Sequence, residues 1–270
     1  METLQVKNLK KSYHGREILK GISFSVNRGE IFALLGMNGA GKTTTLECIE
    51  GIRRFDGGSI EVKGKRGIQL QSSSLPAQIL PMEAVKLFSL WNHAEIDERL
   101  LEHLGIFELG TRKYQQLSTG QKRRLHLALA LISKPDILFL DEPTAGLDVE
   151  ARVALHEEIR RLAGMGKTIV LASHDMAEVE QLCDRIAILN EGRIVFLGTA
   201  QELSDRIHVS YTVLLETEAG KKEFQTEDIL SDLLKELSVL KEAGLSLKDI
   251  HVDRGSMEEH FLELARRDQG

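Results

Sequence analysis

The apolar run Ile31 to Leu35 breaks abruptly into Gly36-Met37-Asn38-Gly39-Ala40-Gly41-Lys42-Thr43-Thr44. The spacing is G-x-x-x-x-G-K-[ST], with a strand pattern before it and a helical pattern after it. No other stretch restricts the fold as strongly, because its three parts must adjoin. The glycines let successive backbone N–H groups turn inward around phosphate oxygens, and a helix starting near Lys42 adds its positive end at the same point. Lys42 offers a mobile cation for β- and γ-phosphates, and Thr43 a hydroxyl for Mg2+. A random chain of this length carries the bare pattern about one time in a hundred, and the flanking strand and helix reduce that further.

Other short apolar runs recur with helical segments between them: Ile22 to Val26, Ser59 to Val62, Gly67 to Leu70, Ile137 to Leu140, Thr168 to Ala172, Arg185 to Leu189 and Arg193 to Leu197. Three of the runs, at 31–35, 137–140 and 168–172, do not alternate, as expected of strands covered on both faces in a parallel sheet. An α/β core follows. From about Ser72 to Lys134 the strand signal gives way to three helical patterns, near Glu83 to Trp91, Glu95 to Leu104 and Thr119 to Ser133, which read as a helical insert. Beyond residue 205, Val209 to Glu216 and Lys221 to Gln225 flank Ala219-Gly220 like a hairpin. Helix, strand and helix follow through Arg267, so residues 206–270 are expected to form a small α+β appendage.

The run Ile137-Leu138-Phe139-Leu140 ends in Asp141-Glu142. Carboxylates at the C-terminal end of a parallel strand face the crevice where α/β sheets bind ligands. Asp141 is placed to hold Mg2+, directly or through water, and Glu142 to orient and partly deprotonate an attacking water. Alone, such a pair is more often a solvated turn or a helix cap. Beside the loop at 36–44 that reading loses ground.

Composition closes several alternatives. With 35 Lys and Arg against 41 Asp and Glu, the chain has no overall positive field for a nucleic-acid backbone. Lys122-Arg123-Arg124 reads as a solvated helix face rather than an RNA-binding patch. No apolar stretch approaches the roughly 18 residues of a membrane span, and METLQVKNLKKSY lacks the apolar centre of a secretory signal. Cys48 and Cys183 are too few for a disulfide framework, which fits a reducing cytoplasm.

Taken in order, Tyr13, the loop at 36–44, Gln71, Leu117-Ser118-Thr119-Gly120-Gln121, Leu138 to Glu142, Ala145-Gly146-Leu147-Asp148 and His174 resemble the motif series of an ATP-binding cassette (ABC) nucleotide-binding domain over roughly residues 1–205. The pentapeptide at 117–121 discriminates, since other phosphate-loop ATPases and GTPases lack it. The resemblance implies a P-loop NTPase core of RecA-like type with an antiparallel β subdomain and the helical insert. It implies that Tyr13 stacks on adenine, that Gln71 joins core to insert and reaches Mg2+ and the γ-phosphate, and that His174 contacts the γ-phosphate and helps fix the water. Gln69 competes for the glutamine role, but Gln71 ends the strand and opens the polar loop Ser72-Ser73-Ser74. Ser118 is suited to cap the helix from about Thr119, and Gly120 leaves room for phosphate oxygens, so that helix start is a second anion site. Thr119 stands where the family commonly has glycine, and helical backbone is expected there.

By the same resemblance, two such chains meet head to tail. Each ATP with its Mg2+ is held by Lys42 and Thr43 of one and by Ser118, Gly120 and Gln121 of the other, and Asp148 links the two sites. The partner cassette is expected to be a second copy or a homologue, and an integral membrane permease is expected to dock at the cleft around Glu83 to Trp91. The tail Ser256-Met257-Glu258-Glu259-His260-Phe261-Leu262-Glu263-Leu264 resembles cassettes serving drug, polysaccharide or ion exporters. The chain is then cytoplasmic and peripheral at the inner face of the cell membrane. The competing expectation is a soluble cassette ATPase acting as a clamp on DNA or ribosomes, although such members usually carry two cassettes or a long coiled-coil insert.

Overall fold

In the computed structural model, which describes residues 2–69, 74–206, 211–226 and 228–254, the chain opens with two long antiparallel strands, β1 (Glu2–Tyr13) and β2 (Arg16–Asn27). Sequence reasoning placed no strand over β1. Its apolar residues Leu4, Val6 and Leu9 break the two-residue period because the pairing slips between Val6 and Leu9, where Asn8 adopts a φ of 48°. β3 (Ile31–Leu35) then leads through the glycine loop into α1 (Lys42–Glu50), and β4 (Gly57–Val62) returns to pair with β1, giving a three-stranded antiparallel sheet in the order β2-β1-β4.

β5 (Arg66–Gln69) precedes the insert of α2 (Pro81–Trp91), α3 (Glu98–His103) and α4 (Thr119–Leu131). α2 starts earlier than its apolar pattern because Pro81 takes a first-turn position, where its missing N–H costs nothing. α3 is shorter than expected because the Asp97 carboxylate caps it, accepting from the Leu100 N–H. The core continues with β6 (Ile137–Asp141), α5 (Val149–Gly164), β7 (Thr168–Ser173), α6 (Met176–Leu182), β8 (Arg185–Asn190) and β9 (Arg193–Gly198). Their sheet has the order β5-β6-β7-β3-β8-β9, parallel throughout except for the final antiparallel pair. All residues of β3, β6 and β7 are buried, which accounts for their non-alternating sequences.

The core lies where this sheet, α1 and the three-stranded sheet meet. Leu46 and Ile49 of α1, Phe139, Val170 and Leu34 pack with Leu4, Leu19 and Phe24, and the Phe24 and Phe32 rings stack at 5.3 Å. Each such side chain contributes about 1.5–3 kcal/mol by leaving water, so the position of α1, and with it the glycine loop, is fixed from below.

By compactness the chain divides into Met1–Gly198 and Thr199–Gly270. The second unit contains α7 (Ala200–Arg206), β10 (Tyr211–Thr217), β11 (Gly220–Thr226), α8 (Ile229–Glu242) and β12 (Leu247–Arg254), with an antiparallel sheet ordered β11-β10-β12. Val213 and Leu215 are its buried centre. The Thr226 hydroxyl donates to Asp232 and Lys222 pairs with Glu236, joining β11 to α8. The last expected helix and the tail from Ser256 to Leu264 lie outside the described residues, as does Gln71.

Candidate functional site

β3 delivers the chain into a loop whose glycines are required by space and by torsion. A Cβ on Gly36 would lie 2.5 Å from the Leu189 carbonyl oxygen, and Gly41, which heads α1, holds a φ of 110°. Inside the loop, the buried Lys42 ammonium donates to the Gly36 carbonyl at 2.8 Å and stands 3.5 Å from Glu142 Oε1. Thr43 is exposed at the start of α1 and hydrogen-bonds to Asp141.

Asp141 ends β6 beside Ala172 of β7. The next residue, Glu142, takes a left-handed φ of 49° while its N–H still donates to the Ala172 carbonyl at 3.0 Å. This turn aims the Glu142 carboxylate back over the strand ends, where Oε2 accepts from His174 Nδ1 at 2.6 Å. Glu142 is therefore held between Lys42 and His174, one oxygen to each. The imidazole, with Nδ1 engaged, has only Nε2 to offer another ligand. Burial raises the Asp141 pKa above the usual carboxylate range, opposed by the Thr43 hydrogen bond and the nearby Lys42 charge. Its buried Oδ1 has no hydrogen-bond partner. A buried, unsatisfied carboxylate oxygen beside an exposed threonine hydroxyl is the donor set that a hard cation bridging to phosphate oxygens uses, so the residues present fit Mg2+.

A second constellation forms around α4 and α5. The Ser118 hydroxyl accepts from the Gln121 N–H at 3.3 Å, while Gln121 Oε1 accepts from the Ser118 N–H at 3.0 Å, closing a capping box. Asp148 caps α5, its carboxylate accepting from the Ala151 N–H at 2.8 Å. Both caps border one cavity of about 810 Å3, walled also by Gly120, Gly146 and Leu147. Thr119 opens α4 in helical conformation, as expected. The space beside Gly120 is narrower than expected, since a Cβ there would lie 3.3 Å from that of Ala151. None of Lys42, Thr43, Asp141, Glu142 or His174 lines this cavity, so one chain carries two separate half-sites.

A protein-family model described as "ABC transporter" matches residues 19–145. The linearmycin resistance ATP-binding protein LnrL of Bacillus subtilis is 39% identical, over 76% of this chain and 71% of its own length. This chain is an ABC transporter ATP-binding protein. The daunorubicin resistance ATP-binding protein DrrA3 of Streptomyces coeruleorubidus is 32% identical over 98% of this chain and 96% of its own. Among solved structures, an ATP-binding subunit of an ABC transporter superposes with a TM-score of 0.67 at 27% identity, covering 76% of this chain and 92% of that one. The P-loop NTPase fold and the ATPase activity of the family follow, and the clamp reading finds no support among these relatives.

For this ABC ATPase the remaining sequence candidates fall into two groups. Tyr13 ends β1, with Lys11 Nζ 5.1 Å and Arg53 Cζ 5.4 Å from its ring centroid. Asn38, Gly39, Ala40 and Thr44 complete the loop around Lys42. Gln69, the competitor to Gln71, ends β5 fully buried with neither amide atom hydrogen-bonded. The solvated-face reading of residues 122–124 is corrected: all three are half-buried, Lys122 lies over the Tyr114 ring, and burial lowers the Arg123 pKa against the raising charge of Asp141. Sequence reasoning also missed Glu50, whose buried carboxylate has no hydrogen-bond partner and is pushed up to about 7, mainly by burial and then by the Asp141 charge. The signal for it was the stripe Thr43, Glu47, Glu50 on one face of α1.

Proposed function

We propose that this chain energises an export permease by closing with a second copy of itself over ATP and parting after hydrolysis. The observation that carries the reading is the placement of Glu142 between Lys42 and His174 at the mouth of the glycine loop. In this reading the loop residues Gly36, Asn38, Gly39, Ala40, Gly41 and Thr44 wrap the phosphates with their N–H groups. Lys42 leaves the Gly36 carbonyl for the β- and γ-phosphates. Glu142, freed of that lysine, accepts the proton of the attacking water, and His174, braced through Nδ1 on Glu142, keeps that water in line with the γ-phosphate. Thr43 and Asp141, with Gln71, would hold Mg2+, which would supply charge neutralisation to the phosphates. Tyr13 stacks on the adenine.

The half-site of Ser118, Gly120 and Gln121 receives the γ-phosphate of the opposing subunit at the start of α4, and Asp148 connects the two sites across the interface. Two separate half-sites in one chain support a head-to-tail homodimer over a self-contained monomer. Among the described residues no helix is long and apolar enough to cross a membrane, which supports a separate permease and a position at the inner membrane face. The exposed Leu87, Leu90 and Trp91 of α2 suit its docking. The relatives named for drug resistance, and those named for Nod factor export, support outward transport. Residues 1–205 are read as the nucleotide-binding domain, with its helical part near 72–134, and 206–270 as an accessory domain.

The Glu142→Gln variant tests the dimer. With Mg-ATP it should elute as a stable dimer and without nucleotide as a monomer, and a variant that stays monomeric overturns the closure. Co-expression with a cognate permease should bring the protein into the membrane fraction.

A further inference from the structure

The His174 side chain is 55% accessible, and among the described residues the bond to Glu142 is the one side-chain hydrogen bond that holds its ring. The backbone beneath it is fixed in another way. Ser173 and Asp175, on either side of His174, are joined across it, because the Asp175 N–H donates to the Ser173 hydroxyl oxygen at 3.0 Å. That hydroxyl donates in turn to Glu178 Oε2 at 2.7 Å, and Glu178 Oε1 accepts from His156 Nε2 of α5 at 3.1 Å. The Asp175 carboxylate caps α6 on the Glu178 N–H at 3.0 Å, and its other oxygen lies 3.4 Å from Arg152 of α5.

Ser173, Glu178 and His156 are 1%, 3% and 6% exposed. Three polar groups so deeply buried carry a heavy desolvation cost unless each is satisfied by a partner of fixed geometry. Apolar residues of similar volume would pack the same space without it. What the polar set adds is direction: a satisfied buried network allows one arrangement where a greasy contact tolerates several.

We infer that Ser173, Glu178 and His156 are positioning residues for His174, a buried relay that sets the imidazole against Glu142 and ties it to α5, the helix headed by Asp148. The relay rests on the role of His174 proposed above. Removing it leaves the nucleotide contacts of the glycine loop in place but lets the imidazole wander. A displacement of about 1 Å costs up to roughly a hundredfold in rate.

The test is steady-state phosphate release by the full chain with Mg-ATP. Glu178→Ala and Ser173→Ala should lower kcat by about ten- to a hundredfold with KM for ATP within about twofold of the parent. Glu178→Gln, which keeps an acceptor for Ser173, should return kcat to within about threefold. In a His174→Ala background, Glu178→Ala should cost no more than about a further twofold, because the residue it acts through is gone. Unchanged kcat in both single variants, equal losses in both backgrounds, or a KM that rises in step with the loss of kcat would overturn the relay. If Glu178→Ala does not fold, Ser173→Ala, which removes one oxygen, decides alone. A His174→Ala chain with unaltered kcat refutes the underlying role of His174 and the relay with it, an outcome distinct from normal turnover in the Glu178 and Ser173 variants alone.

Discussion

His174 Nδ1 lies 2.6 Å from Glu142 Oε2, so the ends of β6 and β7 meet in one hydrogen-bonded pair. The other Glu142 oxygen faces Lys42. A charged carboxylate pinned on both sides stands ready beside the loop, and the phosphates must displace the lysine from it. The energetics of nucleotide entry are therefore an exchange of partners for Lys42.

Lys42→Ala removes that exchange. ATP affinity should fall at least about tenfold, the loss of one charge-assisted contact, and the thermal midpoint should fall as well, because the buried Glu142 carboxylate loses its cationic partner. Isothermal titration with ATP checks it, and unchanged affinity would remove Lys42 from the phosphate site.

Glu142→Gln keeps the side-chain shape and removes its charge. Phosphate release should drop by at least about a hundredfold, the usual worth of a general base. ATP should bind as tightly as before or more tightly, since the lysine is no longer held. Single-turnover hydrolysis and equilibrium binding measured on the same sample separate the two effects.

Glu50 gives the chain a pH dependence of defined sign. Its pKa is raised from 4.5 to about 7 on folding, so the stability linked to its protonated form is complete below pH 4.5 and is lost as pH rises to about 7. At its steepest the loss runs at about 1.4 kcal/mol per pH unit. Glu50→Gln should match the parent in thermal midpoint near pH 4.5, exceed it increasingly from pH 5 to about pH 7, and hold a constant lead above that. Midpoints that stay equal at pH 8 would show that the carboxylate is solvated.

Gly36→Ala drives a methyl group to 2.5 Å from the Leu189 carbonyl oxygen. One strand or the loop must shift, at a cost of about 1–3 kcal/mol. Chemical denaturation should show that loss with an unchanged m-value. Gly39→Ala is the control, since its Cβ meets nothing within 4 Å and only its φ of 85° opposes the change.

The sequence made the parallel sheet and the loop legible because both are local: an apolar run with no alternation, and a glycine pattern bounded by strand and helix. β1 was illegible because a slip in pairing at Asn8 erased the alternation that marks a strand. The contacts of Lys42, Glu142 and His174 could be anticipated only as members of a motif series, since the first and last are 132 positions apart. Arg123 misled for another reason: three adjacent charges look solvated in one dimension, but their fit against Tyr114 and the strand ends is a tertiary fact. The Ser173–Glu178–His156 network belongs to no pattern of fixed spacing, and only the packing of α5 and α6 on the sheet brings its members together; the stripe on α1 puts Glu50 on the Thr43 face, but only packing shows that its carboxylate is buried near Asp141.

The left-handed backbone at Glu142 carries a lasting consequence. Such a torsion costs about 1–2 kcal/mol for most residues with a Cβ, and less for asparagine, whose short side chain bonds to the nearby backbone, whatever chemistry the side chain performs. A saturation library at this codon would therefore sort into two opposed rankings. Glycine and asparagine would head the list for melting temperature and fall to its foot for turnover, and the wild-type residue would sit where durability has been surrendered for work.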